Sequence, residues 1–268
     1  MTDRKNWKCA LSVGFNSMNK ESLSSLSECG IHEIELSSGY LAPFYDNDFI
    51  HRAGEFKSLA RECGVNLSSV HLPFGPFSEI DPCDSDKAKR DNIVRIQSEL
   101  IRAAGENGIG IAVIHPSGEP YRDDEREERV KYAIDTISRI CETAVHSGVA
   151  LALENLPRTC LCRTHDEMVA FLEAIPDLKV CFDCNHSLTE QNEDYILAVA
   201  DRIVTLHVSD YDRVDEKHWL PMKGVNDWEK IISLLEESDY NGRWLYELRA
   251  DAGTYAEIYE NYRRLMNK

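Results

Sequence analysis

Ile203-Val204-Thr205-Leu206-His207-Val208-Ser209 is a short run of β-branched and apolar residues with alternating character. Val204, Leu206 and Val208 stand at one parity and Thr205, His207 and Ser209 at the other. Successive side chains of a strand point to opposite faces, so the apolar set is predicted to face covering helices while His207 points inward. Seven further short apolar runs share this character: Lys8–Phe15, Ile31–Leu36, Asn66–Leu72, Gly110–His115, Ala150–Asn155, Lys179–Asp183 and Arg243–Leu248. Between them lie amphipathic segments of helical length. In Lys87–Asn107, Ile93, Ile96, Leu100 and Ala103 recur at three- and four-residue steps, and Glu125–His146 repeats the pattern with Val130, Ala133, Ile137 and Cys141. Strand-helix alternation implies parallel βαβ units. Eight such units in 268 residues predict an α/β fold, a (β/α)8 TIM barrel forming a single domain over residues 1–268. A doubly wound open sheet is the competing fold, but Val13-Gly14-Phe15-Asn16 stands where its Gly-x-Gly-x-x-Gly turn would follow the first strand.

Composition fits one compact unit. Apolar residues make up 43% and charged residues 29%, which excludes disordered and fibrous classes. No run approaches the length of a membrane span, and Met1-Thr2-Asp3-Arg4-Lys5-Asn6-Trp7 lacks the apolar core of a signal peptide, so a cytoplasmic protein with no membrane partner is expected. The formal net charge of −17 sets a field that repels phosphate backbones, which argues against nucleic acid as a partner. Nine cysteines without an export signal argue against a disulfide framework. Cys160-x-Cys162 and Cys181-x-x-Cys184 lie in strand-like surroundings rather than at the spacing of a zinc finger.

Parity then populates the strand exits, where a barrel of this type keeps its site. Glu35, His71, His115, Glu154, Asp183, His207 and Glu247 are all predicted to point into one mouth. Several carboxylates in one desolvated mouth repel one another, and a divalent cation resolves that conflict. Glu154, Asp183, His207 and Glu247, on four successive strands, are the predicted metal ligands. Three carboxylates and one imidazole favour Mn²⁺, Co²⁺ or Mg²⁺, with Zn²⁺ also admitted. His186, just beyond Asp183, is placed to reach a second metal or a substrate hydroxyl. Arg249, two residues past Glu247, is expected on the same face, and with Lys223 it would hold a phosphate or carboxylate. The long connections Phe74–Asp86 and Tyr211–Asn226 are expected at the same mouth.

Glu154-Asn155-Leu156, Phe182-Asp183-Cys184-Asn185-His186, Thr205-Leu206-His207-Val208-Ser209-Asp210 and Leu245-Tyr246-Glu247 resemble the metal-site segments of the xylose isomerase-like barrel superfamily. The resemblance implies a divalent-metal-dependent sugar isomerase or epimerase with a small sugar or polyol as substrate. It also implies that Glu154 and Glu247 act as acid and base, that His186 and Arg213 bind substrate, and that a homodimer forms. One departure stands out, because Cys160 occupies the position of a substrate-binding Glu of the ketose 3-epimerases. His71, His115, His186 and the Glu216-x-His218 pair also match the histidine-rich positions of the endonuclease IV branch, which cleaves abasic DNA. Sugar-acting members share His71-Leu72-Pro73-Phe74 and His115-Pro116, so His71, His115 and His218 are read as substrate-side residues. A non-enzymatic metal- or sugar-binding barrel is the third reading.

Overall fold

The computed structural model describes residues 3–267; Met1, Thr2 and Lys268, at the ends of the expected domain, lie outside the described residues. Eight parallel strands form the sheet: β1 (Lys8–Val13), β2 (Glu33–Leu36), β3 (Asn66–His71), β4 (Ile111–Ile114), β5 (Ala150–Glu154), β6 (Lys179–Asp183), β7 (Ile203–His207) and β8 (Arg243–Tyr246). Their order is β7-β6-β5-β4-β3-β2-β1-β8. The ring closes between β7 and β8, where the Val208 N–H donates to Leu245 O at 2.8 Å and the Glu247 N–H to Val208 O at 3.3 Å. The molecule is thus a single-domain (β/α)8 barrel, and all eight expected strands are present.

Helices α1 (Lys20–Glu28), α2 (Leu41–Asp46), α3 (Phe49–Glu62), α4 (Lys87–Glu106), α5 (Arg126–His146), α6 (His165–Ala174), α7 (Asn192–Val199), α8 (Trp228–Glu237) and α9 (Tyr255–Met266) surround it. Their starts are written in the sequence. Asn19, Asp86 and Asp227 accept backbone N–H groups at the first turns of α1, α4 and α8, and Thr254 with Glu257 builds a capping box on α9. The predicted stripe Ile93, Ile96, Leu100 and Ala103 is buried, as are Ala133, Ile137 and Cys141, while Val130 is half-buried against the same core. These side chains and the outward strand residues, among them Leu151, Leu153, Phe182 and Leu206, form one continuous core. Val113, Ala152 and Cys181 form a separate small layer inside the barrel.

Val204 departs from the expected parity. Val180 pairs with Ile203 but Cys181 pairs with Thr205, so Val204 is an extra residue on β7. Expected on the helix face, it packs instead against the inner layer of Val113, Ala152 and Cys181. Beyond the bulge the alternation resumes, with Leu206 and Val208 outward in the main core and His207 fully buried. All nine cysteines are free. Among the described residues no helix is long and apolar enough to cross a membrane.

Candidate metal centre

The floor of the strand-exit mouth is built by parity. On β5, Ala152 fills the inner layer and Glu154, two residues on, is its next inward side chain; Cys181 and Asp183 repeat this on β6. His207 ends β7, and Glu247 follows β8 directly. One ligand atom from each of Glu154, Asp183, His207 and Glu247 lies within 4.8 Å of the others. His207 Nδ1 stands 2.9 Å from Glu154 Oε1, 3.4 Å from Glu247 Oε2 and 3.8 Å from Asp183 Oδ2.

The back of His207 decides what its front can do. Its Nε2 donates to Glu35 Oε1 at 3.0 Å, and Glu35 also accepts from Ser69 Oγ at 3.0 Å. A carboxylate only accepts, so Nε2 carries a proton; burial opposes charge on the ring, yet Glu247, Glu154 and Glu35 push His207 up, so Nδ1 faces the three other carboxylates through a proton that a bound cation would replace. A carboxylate behind a ligating histidine is the usual support of a metal site.

Asp183 supplies the second sign. Asn155 pins its backbone, donating to Asp183 O at 2.9 Å and accepting the Asp183 N–H at 2.7 Å. Its Oδ1 accepts the Asn185 N–H, whereas Oδ2 is buried with no hydrogen-bond partner. Burial pushes the Asp183 carboxyl up to about 7, with the Glu247 and Glu154 charges adding to the rise against His186. An orphaned carboxylate oxygen facing an imidazole nitrogen and two more carboxylates is a donor set that fits a hard or borderline divalent cation.

Above the floor the histidines are spent on both sides. His71 Nδ1 donates to Leu72 O at 2.8 Å, and its Nε2 faces Glu154 Oε2 at 3.0 Å. His115 Nε2 lies 3.1 Å from the same oxygen, and Phe74 stacks on its ring at 4.2 Å. His186 Nδ1 donates to Asn155 O at 2.8 Å, and its Nε2 faces Glu216 Oε2 at 3.1 Å. Once Nδ1 has donated to a carbonyl, Nε2 bonds a carboxylate only when a proton or a cation sits between them. Burial opposes charge on His186, yet Asp183 and the Glu216 hydrogen bond push it up to about 10; the same contest, with Glu216 and Glu247 as partners, puts His218 at about 9. Burial drives His115 down. His186, Glu216 and His218 form a second group whose ligand atoms lie within 4.8 Å of one another.

A cavity of about 250 Å³ opens over this floor, bordered by Glu154, Glu247, His115, His186, His218 and Arg158 among others. Three expected contacts, those of His71, Arg213 and Arg249, are not among the residues that border the cavity. Arg213 donates to Glu190 O at 3.0 Å and does not border it. Arg249 was expected beside Glu247, but β8 ends at Tyr246 and its alternation stops there. Its half-exposed side chain pairs with Asp251 at 3.3 Å and lines a separate hollow with Trp219 and Lys223. Conversely, Glu119 and Phe77 border the cavity from loops that carry no periodic signal, and Arg158 does so although the sequence shows it only as one of several scattered arginines.

Comparison with known proteins agrees with this architecture. The chain is 22% identical to a D-tagatose 3-epimerase-like protein of known structure, with a TM-score of 0.78 over 97% of this chain and 98% of the other. It is 20% identical to the D-psicose 3-epimerase of Clostridium cellulolyticum H10, solved with D-tagatose, with a TM-score of 0.75 over 97% and 91% of the two chains. An uncharacterized protein of Methanocaldococcus jannaschii is 25% identical over 204 residues, which is 72% of this chain and 70% of that protein. The xylose isomerase-like TIM barrel family matches residues 23–267, which take in β2 to β8 and the carboxylates and histidines of the mouth, and the chain belongs to that family.

Proposed function

We propose that the protein is a divalent-metal-dependent isomerase or epimerase of a small sugar or polyol, acting by proton transfer next to a carbonyl. The observation that carries this is the convergence of Glu154, Asp183, His207 and Glu247 at the floor of a cavity, with Asp183 Oδ2 lacking a hydrogen-bond partner. Those four residues would hold the cation, Mn²⁺, Co²⁺ or Mg²⁺ by their oxygen-rich set and Zn²⁺ by the imidazole. When bound, such an ion acidifies the hydrogen on the carbon beside a carbonyl by drawing charge onto the oxygen.

The rest is the work of the chain. Glu154 comes from β5 and Glu247 follows β8, three strands on, and both border the cavity, so a substrate between them meets one carboxylate on each side. Glu154 is enclosed by His71, His115 and His207. Glu247 is more open, its side chain 22% exposed, with His207 and His218 as its ion-pair partners. Glu247 is the better placed to take the proton first. Delivery of a different proton to the other face by Glu154, which would draw it from an imidazole hydrogen-bonded to it while Glu247 keeps the one it removed, gives epimerisation; return by Glu247 to the neighbouring carbon gives isomerisation. His115, His186 and His218 are the groups that orient substrate hydroxyls.

The test is solvent deuterium exchange into a panel of ketoses, inososes and hydroxy-keto acids by metal-loaded protein. Exchange at a carbon beside the carbonyl of one substrate supports the reading, and its absence across the panel refutes it. A metal-dependent phosphodiesterase acting on abasic DNA is the second reading, favoured by the imidazoles of His71 and His115 on Glu154 and by the group His186, Glu216 and His218. Charge argues against it, as Arg158, the arginine that borders the cavity among the described residues, is already surrounded by acids.

A further inference from the structure

We propose that Glu119 and Arg158 make the cavity selective for uncharged polyhydroxy substrates, Glu119 being the residue that excludes their phosphate esters. The proposal rests on the sugar reading of the site and narrows it to a charge class.

Arg158 stands in the loop after β5 with a left-handed backbone, φ 53°, and its guanidinium borders the cavity. Its Nε donates to Glu119 at 3.0 Å and its Nη2 to the same Oε1 at 2.6 Å. Glu119 therefore occupies the Nε–Nη2 edge, the planar fork with which arginine takes two oxygens of a phosphate or carboxylate. The other nitrogens are claimed too, Nη1 by Asp215 at 2.7 Å and Nη2 by Glu216 at 2.8 Å. Three carboxylates surround one guanidinium, and the imidazoles of His186 and His218 offset the charge of one of them, Glu216. Glu119 and Glu216 both border the cavity, so an anionic end of a substrate meets like charge where its bidentate partner is already filled.

The other lysines and arginines of this face are engaged elsewhere, and the imidazoles of His186 and His218 face Glu216. Lys217 pairs with Asp212, Arg163 with Asp123 and Arg249 with Asp251, while Lys223 donates to Ala252 O and Arg213 to Glu190 O. Hydroxyl groups suit the same wall, because each can donate to a carboxylate oxygen without adding charge. A cavity of about 250 Å³ falls below the ordinary range of roughly 300–1,000 Å³ for ligand pockets, which fits one sugar unit. Discrimination here works by repulsion of the wrong substrate as much as by attraction of the right one.

The experiment is calorimetric titration of the metal-loaded protein with free ketoses and with the terminal phosphate esters of the same ketoses. The expected result is that the best free ketose binds at least about tenfold more tightly than its ester. Glu119→Gln removes the charge and releases the guanidinium edge, so the preference should shrink by about tenfold or reverse. Asp215→Asn, at the opposite edge of Arg158 and half-exposed, should shift it the same way by less, and it carries the test if Glu119→Gln does not fold. An ester that binds wild type more tightly than its free ketose overturns the proposal, as does a preference unchanged in both variants. Binding of neither series would refute the sugar reading and this proposal with it, whereas ketoses and esters binding equally would refute the proposal alone.

Discussion

Glu35→Gln separates a metal-presenting His207 from a merely packed one. Glu35 is fully buried, and its Oε1 lies 3.0 Å from His207 Nε2. Glutamine keeps the shape and one acceptor oxygen but loses the charge, and a charge-assisted hydrogen bond is about twice as strong as a neutral one. The imidazole becomes less basic and less firmly aimed, at a distance of 3.8 Å or less from each of the three ligand carboxylates. Loss of such a supporting carboxylate weakens metal binding by about 10- to 100-fold, or about 1.4 to 2.8 kcal/mol. Glu35→Ala goes further, since it strands a buried imidazole N–H at about 1 to 3 kcal/mol and also unpairs Ser69 Oγ. The measurement is Mn²⁺ or Co²⁺ affinity by chelator competition at pH 8, with circular dichroism to check the fold and Asp183→Asn as the variant that loses a ligand. If Glu35→Gln holds metal within twofold of wild type while Asp183→Asn loses it, Glu35 does not tune the centre through His207.

Glu154→Gln or Glu247→Gln should lower turnover on the substrate found by exchange about 10²- to 10⁴-fold. Metal occupancy is measured alongside, and wild-type exchange by two metal-replete variants would make both carboxylates structural. Asp183, raised by burial to about 7, binds more protons folded than unfolded between the ordinary carboxylate range and neutrality. Its contribution to stability is therefore present at low pH and lost as pH rises through about 7, so Asp183→Asn should raise the melting temperature of the metal-free protein at pH 8. Metal must displace that proton and the one the surrounding carboxylates hold on His207, so affinity should climb with pH through 7; a pH-independent affinity from 5 to 8 would contradict this. Metal counting at saturating Zn²⁺ or Mn²⁺ tests whether His186, Glu216 and His218 hold a second ion, which a stoichiometry of one would exclude. No binding to an abasic duplex is expected at near-physiological salt, given a net charge of −17; strand cleavage lost in Glu154→Gln would favour the phosphodiesterase reading instead.

How far this site could be read from sequence follows from what transmits side-chain direction. Within a strand the hydrogen-bonded ladder does so with a period of two, and Glu35, His71, Glu154, Asp183 and His207 all sit where alternation puts them. The ladder also explains Val204, because one extra residue on β7 shifts the register locally and turns that side chain inward, a change no propensity announces. Glu247 lies one residue past β8 but stays readable, since its N–H still bonds Val208 O. Arg249 is two residues farther, the ladder has ended, and its direction is taken over by Asp251. The same holds for Arg158 and Glu119, which lie 39 residues apart and orient one another through an ion pair between two loops. Loop side chains take their direction from tertiary partners, and a single sequence does not pair distant residues. The barrel therefore divides its site physically. Ladders hold the floor where the ligand set converges, and ion pairs between loops hold the wall on which substrate charge is sorted. A loop substitution can exchange one wall partner for another without disturbing a strand, so specificity on this frame can change while the floor chemistry is retained.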